Sequence, residues 1–257
     1  MYRYERKYYV RNTIIDGLRK RLIPFVDPDS HANPSTNGLP QYTVRSIYYD
    51  SPVMEYYHEK MDGLENRSKY RIRVYDDYKP GEILFVEIKR KLGNRIKKHR
   101  STILVDDIQM LLNTGEAERF VIRDKNYEEG LKDANKFLFH YYKHSLRPVN
   151  LVTYDREAYH GKFDHGVRIT LDKNVRTKVY PHLDELYNES HLKAVTSNHF
   201  ILEIKYFNII PSWATSIVEE FGLSHEAISK YSTGIDVHTP GRMRFSPIGM
   251  SRLDNLY

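Results

Sequence analysis

The chain contains no cysteine, which excludes disulfides and thiolate metal sites. No stretch approaches the ~20 consecutive apolar residues needed to span a bilayer. The opening MYRYERKYYV lacks the apolar core of a secretory leader, so a cytoplasmic protein is expected. There is no internal repeat, no low-complexity tract and no linker between two complete cores. Twelve histidines are present, but His99, His140, His144, His160 and His165 fall into no metal-binding spacing and read as structural or surface residues. The 22 tyrosines could stack on bases, yet no RNA-binding motif accompanies them. SIYYD and MEYYHEK read as strand and packing segments, so nucleic acid is not an expected partner.

What is present is a chain of 257 residues, 40% hydrophobic and 29% charged, with a formal net charge of +6. That length fits a single all-β or α+β domain. Spread evenly, +6 would mean little beyond solubility. The position of the bases matters more than their sum.

Strand-like runs dominate, near residues 2–9, 43–50, 68–76, 82–91, 98–105, 147–160, 166–172 and 198–207. Helical patterns fill the gaps. IIDGLRKRLIPF follows Asn12 and Thr13, which could cap it. Further helices are expected over 106–113, 128–144 and 211–222, the last opening on Pro and closing on Gly, with another near 225–231. Residues 27–41 read as an exposed loop, and 239–257 as a polar extension of a domain covering 1–238. Short connections between strands favour antiparallel pairing.

Residues two apart in a strand share a face. Read this way, Glu5 pairs with Lys7; Lys69, Arg71 and Arg73 fall together, opposite Ile72 and Val74. Glu87 and Lys89 oppose Val86 and Ile88. Lys98 joins Arg100, and Arg168 joins Thr170 and Asp172. Glu203 and Lys205 oppose Leu202 and Ile204, and Arg156 adds another base. One such strand is ordinary, with its charged face in water. Many together also describe an antiparallel sheet closed around a polar lumen, with amphipathic helices covering its outside. Sequence alone does not choose between an open charged sheet and a closed tunnel. In a tunnel, like charges ~4 Å apart would cost on the order of 4 kcal/mol per pair at a protein-like dielectric, and a polyanion would relieve this. Arginine forks suit phosphate, and the carboxylates suit Mg²⁺ or Mn²⁺ bridging phosphates.

The stretches YERKYYV, SIYYDSPVMEYYHEK, KYRIRVY, FVEIKRK, KKHRS, RPVNLVTYDREAY, VRITLD, FILEIK and SKYSTGI, in this order, resemble the triphosphate tunnel metalloenzymes. Within them the match is to the vacuolar transporter chaperone (VTC) type of polyphosphate polymerase. The resemblance implies an α+β fold, a closed antiparallel eight-stranded β tunnel with a charged lumen and helices packed outside. It implies transfer of the γ-phosphate of ATP, or another nucleoside triphosphate, onto inorganic polyphosphate, with pyrophosphate or triphosphate as related ligands and Mn²⁺ or Mg²⁺ as cofactor. The carried-over catalytic bases are Lys7, Arg71, Arg73, Lys89, Lys98, Arg156, Arg168 and Lys230. Arg100, Lys205, Ser229, Glu5 and Glu87 would support substrate binding, and Glu203 would hold the metal. Lys230 and Ser229 are expected in a terminal helix at one mouth, and Glu87 as a counter-charge to neighbouring bases. Removing Arg71 or Arg168 is expected to abolish phosphate binding while sparing stability.

Two departures stand out. Triphosphatase and cyclase relatives begin Glu-x-Glu-x-Lys, whereas Arg3 replaces the first glutamate here. Ala227 stands where polymerases carry a second lysine. Two other functions fit the same fold: a triphosphatase, or a non-catalytic module binding polyphosphate or an inositol phosphate. A membrane-protein partner could handle the product.

Overall fold

The computed structural model describes residues 3–32, 38–93 and 95–239. The side chain of Arg3, part of the loop expected over 27–41 and the extension beyond Thr239 lie outside the described residues. Ten strands form one sheet: β1 (Arg3–Arg11), β2 (Val26–Pro28), β3 (Gln41–Asp50), β4 (Asn66–Tyr75), β5 (Ile83–Leu92), β6 (Arg95–Leu104), β7 (Arg147–Gly161), β8 (Arg168–Val179), β9 (Lys193–Ala194) and β10 (His199–Phe207). Eight of them run in the order β1-β10-β8-β7-β3-β4-β5-β6, with β2 on β7 and β9 on β8. Among the described residues every strand pairing is antiparallel.

The sheet curls strongly. Glu5 on β1 and Lys89 on β5 stand far apart in strand order, yet their charged ends are 3.1 Å apart. Among the described residues no ladder joins β1 to β6, and the strands form a curled antiparallel sheet. Each edge is covered by irregular chain. His225 bridges to Tyr8 on β1, and Val121 bridges to Ile103 on β6. A free strand edge exposes a row of unpaired amides, and these segments satisfy part of it.

Among the described residues seven α-helices accompany the sheet: α1 (Ile15–Leu22), α2 (Glu55–Met61), α3 (Ile108–Thr114), α4 (Ala117–Phe120), α5 (Tyr127–Lys143), α6 (Ser212–Glu220) and α7 (Lys230–Asp236). The apolar strand faces find cover where alternation demands it. Ile72, Val74, Leu84, Val86 and Ile88 pack with Ile108, Leu111, Phe137 and Leu138 of α3 and α5. Leu202 and Ile204 pack with Leu18 of α1 and Ile217 of α6. A third cluster sits on the opposite, concave side, where Tyr48, Tyr154 and Ile201 meet Tyr231 of α7. The expectation of helices outside only therefore needs correction, because α7 fills part of the concave face.

Three further differences have local causes. Asn12 and Thr13 do not cap α1; they lie in a 3₁₀ turn, and the residue before α1 makes no side-chain cap bond. The helix expected near 225–231 begins at Lys230, because His225 and Glu226 run along β1, where Glu226 N donates to Lys7 O at 2.9 Å. The strand expected over 166–172 continues to Val179.

Candidate functional site

Alternation along the strands brings the charged side chains onto the concave face, where they organise around four carboxylates. Glu87 is 1% exposed. It accepts from Arg71 Nε at 2.6 Å and Arg100 Nε at 2.7 Å, and Lys98 Nζ lies 2.5 Å away. Burial pushes its pKa up, but Arg71, Arg73, Lys98 and Arg100 together hold it well below the usual carboxylate range.

The second centre is Glu203 with Asp172. Arg156 donates Nε and Nη2 to the two oxygens of Asp172 at 2.6 and 2.7 Å, a bidentate fork. Lys230 Nζ stands 2.5 Å from Asp172 and 2.8 Å from Glu203. Lys205 Nζ also reaches Glu203 at 2.8 Å. Burial again opposes ionisation of Glu203, and Lys205, Lys230, Lys7 and Arg156 overcome it, leaving its pKa well lowered. Glu5, the fourth carboxylate, meets Lys7 at 3.0 Å and Lys89 at 3.1 Å. Lys7 also lies 3.6 Å from Glu203, so it stands between two acids.

The lysines respond in both directions. Burial lowers Lys98 to about 7, against the pull of Glu87, and Lys205 to about 8, against Glu203 and Glu5. Lys69 is pushed well down by burial and by Lys7, Lys89, Lys60 and Arg67. Its ammonium donates to Ser229 Oγ at 2.7 Å. Among the described residues, Lys60, Arg67, Lys69 and Lys91 form no ion pair with a carboxylate.

Three cavities follow one another through this region. A central one of about 230 Å³ is lined by Arg71, Arg73, Lys98, Arg100, Arg156, Arg168 and Lys205. At one end it shares Glu5, Lys89 and Ile96 with a cavity of about 220 Å³ that holds Lys60, Arg67, Lys69, Lys91, Ala227 and Ser229. At the other it shares Tyr42, Tyr75, Arg100 and Arg168 with one of about 460 Å³, lined also by Phe85, Asp76 and Glu82.

The VTC domain family matches residues 2–239. The chain belongs to the VTC domain family. It is similar to vacuolar transporter chaperone complex subunit 4 of Trypanosoma brucei brucei (strain 927/4 GUTat10.1), 23% identical over 198 residues, which is 66% of this chain and 25% of that protein. Among solved structures it is similar to HpAC1 from Hippeastrum, an adenylyl cyclase candidate described as having a dominant triphosphatase activity, with a TM-score of 0.50 and 10% identity over 95% of this chain and 99% of that one. A Bacillus halodurans protein described as an adenylate cyclase candidate gives a TM-score of 0.49 and 12% identity over 89% and 96% of the two chains. The likeness to HpAC1 supports the tunnel-type fold.

Within this VTC domain most of the residues singled out from sequence line the cavities, whereas Glu87, Glu203 and Lys230 are buried and line none of the three. Lys230 does not point into the mouth; it is 8% exposed and joins Glu203 to Asp172. Ser229 does line the mouth cavity. Arg71 serves buried Glu87, and Arg168 donates to Asp29 at 2.6 Å. Both are thus partners of buried acids, which gives them a structural role beside any phosphate-binding one.

Sequence reasoning left out Asp172, Lys69 and Asp29. Strand alternation placed the first two on the charged face, so the signal for them was present. Asp29 fell in the segment read as an exposed loop, yet it is buried against Arg168 and accepts from His31 N.

Among the described residues no group of three or more His, Asp or Glu side chains could hold a metal ion. Glu203 and Glu5 hold the Lys7 ammonium between them at 3.6 and 3.0 Å, so a metal cation bound there would displace it and bring most of its oxygen ligands with a phosphate chain. Mg²⁺ commonly binds in this way, through one or two carboxylates plus phosphates and water.

Proposed function

We propose that this domain is a metal-dependent polyphosphate polymerase, transferring the γ-phosphate of ATP onto a growing inorganic polyphosphate inside a closed basic tunnel. The observation that carries this reading is the continuity of cations through two adjoining cavities. The positive lining of the central cavity runs on past Glu5 to Lys60, Arg67, Lys69 and Lys91 in the next.

In this reading Arg71, Arg73, Arg156 and Arg168 grip phosphate oxygens with paired N–H donors, while Lys89, Lys98 and Lys205 act as point charges. Bound Mn²⁺ or Mg²⁺, held by Glu203 with Glu5 nearby, would supply further neutralisation of the phosphate charge. The terminal oxygen of the acceptor is already anionic and attacks the γ-phosphorus in line. The bond from that phosphorus to the β–γ bridging oxygen breaks, and ADP leaves with the electron pair. No proton need be removed from the acceptor. That agrees with Glu87 and Glu203, whose lowered pKa values leave them poor general bases for water. The cations' contribution is positioning and charge stabilisation.

The test is incubation of the purified chain with ATP and Mn²⁺, followed by gel separation of the products. A ladder of polyphosphate supports the polymerase. Free phosphate without chain growth would assign a triphosphatase. Polyphosphate binding with neither product would assign a non-catalytic module.

A further inference from the structure

Lys230 ties Glu203 to Asp172, and its place depends on a helix that cannot stand alone. Helix α7 has only seven residues, KYSTGID, including a glycine, a serine and a threonine. Isolated helices of that length and composition are unstable in water. Its fixing must come from neighbours. Ser229 Oγ accepts from Ser232 N at 3.3 Å, and Asn150 Nδ2 donates to Tyr231 O at 2.9 Å. At Gly234 the helix approaches so closely that a Cβ would lie 2.4 Å from Asn150 Nδ2.

The remaining ties are side-chain hydroxyls on buried acids. Tyr57 OH donates to Asp236, and Tyr231 OH donates to Asp50. Asp50 is 0% exposed and also accepts from the backbone N–H groups of Ser51 at 2.7 Å, Tyr56 at 3.0 Å and Tyr57 at 2.8 Å. Those last two belong to the first turn of α2, whose four leading amides have no partner within the helix. One carboxylate therefore anchors both α2, which brings Lys60 to the mouth cavity, and α7, which brings Lys230 to the acids. Burial and the adjacent carboxylate hold the Tyr231 phenol well above its ordinary pKa, so it remains a donor.

We propose that Asp50 and Tyr231 form a latch that positions Lys230 between Glu203 and Asp172 and so sets the geometry of the phosphate site. This rests on the reading of the cavities as a phosphate-chain site. Asp50 and Tyr231 are positioning residues, acting through Lys230 and touching no substrate.

Tyr231→Phe removes the donor and keeps the ring, whose centroid is 5.1 Å from that of Tyr48. Losing one buried hydrogen bond should cost about a tenfold change in the equilibrium it controls. Amide hydrogen exchange over α7 should therefore accelerate about tenfold while β4, β5 and β10 keep their protection. Affinity for inorganic tripolyphosphate, read by calorimetry, should fall about tenfold. In a Lys230→Met background the same Tyr231→Phe change should leave affinity unaltered. Gly234→Ala, whose Cβ would press α7 away from Asn150 and Thr177, should reproduce both effects if Tyr231→Phe proves hard to purify. Unchanged exchange over α7, or an equal affinity loss in the Lys230→Met background, would overturn the latch. A wild-type chain that binds no tripolyphosphate would overturn it together with the phosphate reading. If the wild type binds tripolyphosphate but makes no polyphosphate, the polymerase falls and the latch stands.

Discussion

Glu87 and Glu203 each stand two residues before a lysine in the same Glu-Ile-Lys triplet, yet their surroundings differ. Glu203 holds the lysine of its own triplet, Lys205. Glu87 is bound by Arg71, Lys98 and Arg100, while the lysine of its triplet, Lys89, turns to Glu5. Glu87→Gln would leave three cations around a neutral buried amide. It should lower unfolding free energy by about 3 kcal/mol, as removal of one partner from a buried ion pair does, and chemical denaturation would measure it. Unchanged stability would mean that water already screens those cations. The pH response also belongs to single residues. Lys98 and Lys205 have folded pKa values lowered to about 7 and about 8, from an ordinary 10.5. Above pH 7 the folded chain holds fewer protons at these sites than the unfolded one, so their contribution to stability grows with pH. Phosphate affinity runs the other way, because the site loses positive charge as they deprotonate. Tripolyphosphate should bind more weakly at about pH 9 than at about pH 6.5, and Lys98→Met should flatten that difference.

Elements separate what holds the fold from what holds the ligand. Glu157 on β7 is 0% exposed and takes Arg19 of α1 at 2.9 and 2.7 Å, with Lys173 at 3.1 Å. Arg19→Ala should cost about 3 kcal/mol of stability while tripolyphosphate affinity stays at the wild-type value. A parallel loss of affinity would mean that the outer helices and the concave face are not independent. The strands were readable because a period of two, sustained through KYRIRVY, ILFVEIKRK and FILEIK, assigns each side chain to a face. Helix α7 was harder. Its poor intrinsic propensity puts its signal in the partners at Asp50, Asn150 and Tyr57, all distant in sequence. Residues 225 and 226 looked helical but pair along β1, since an uncovered strand edge outweighs weak local preference. Helix α2 went unread, because its anchor, Asp50, lies upstream of a segment that resembled strand.

At the scale of the whole molecule, the charge is sorted rather than large. A net +6 conceals two adjoining cavities lined mainly by Lys and Arg, with Glu87, Glu203 and Asp172 buried behind them. The sorting was legible because alternation reports faces. How the edges of the sheet are covered was not, because a strand's pattern says nothing about what meets its edge. The cations without carboxylate partners at one mouth give a global prediction. Lys60→Glu combined with Lys91→Glu should shorten the polyphosphate product while leaving the first phosphoryl transfer near its wild-type rate, as product length on gels and initial ADP release would report. The most direct test of the central claim follows the label from γ-labelled ATP in the presence of Mn²⁺ and a short polyphosphate primer. The polymerase account predicts that the label enters acid-insoluble polyphosphate in step with ADP release. Label recovered entirely as free phosphate, or no ADP release from a folded chain that binds the primer, would contradict it.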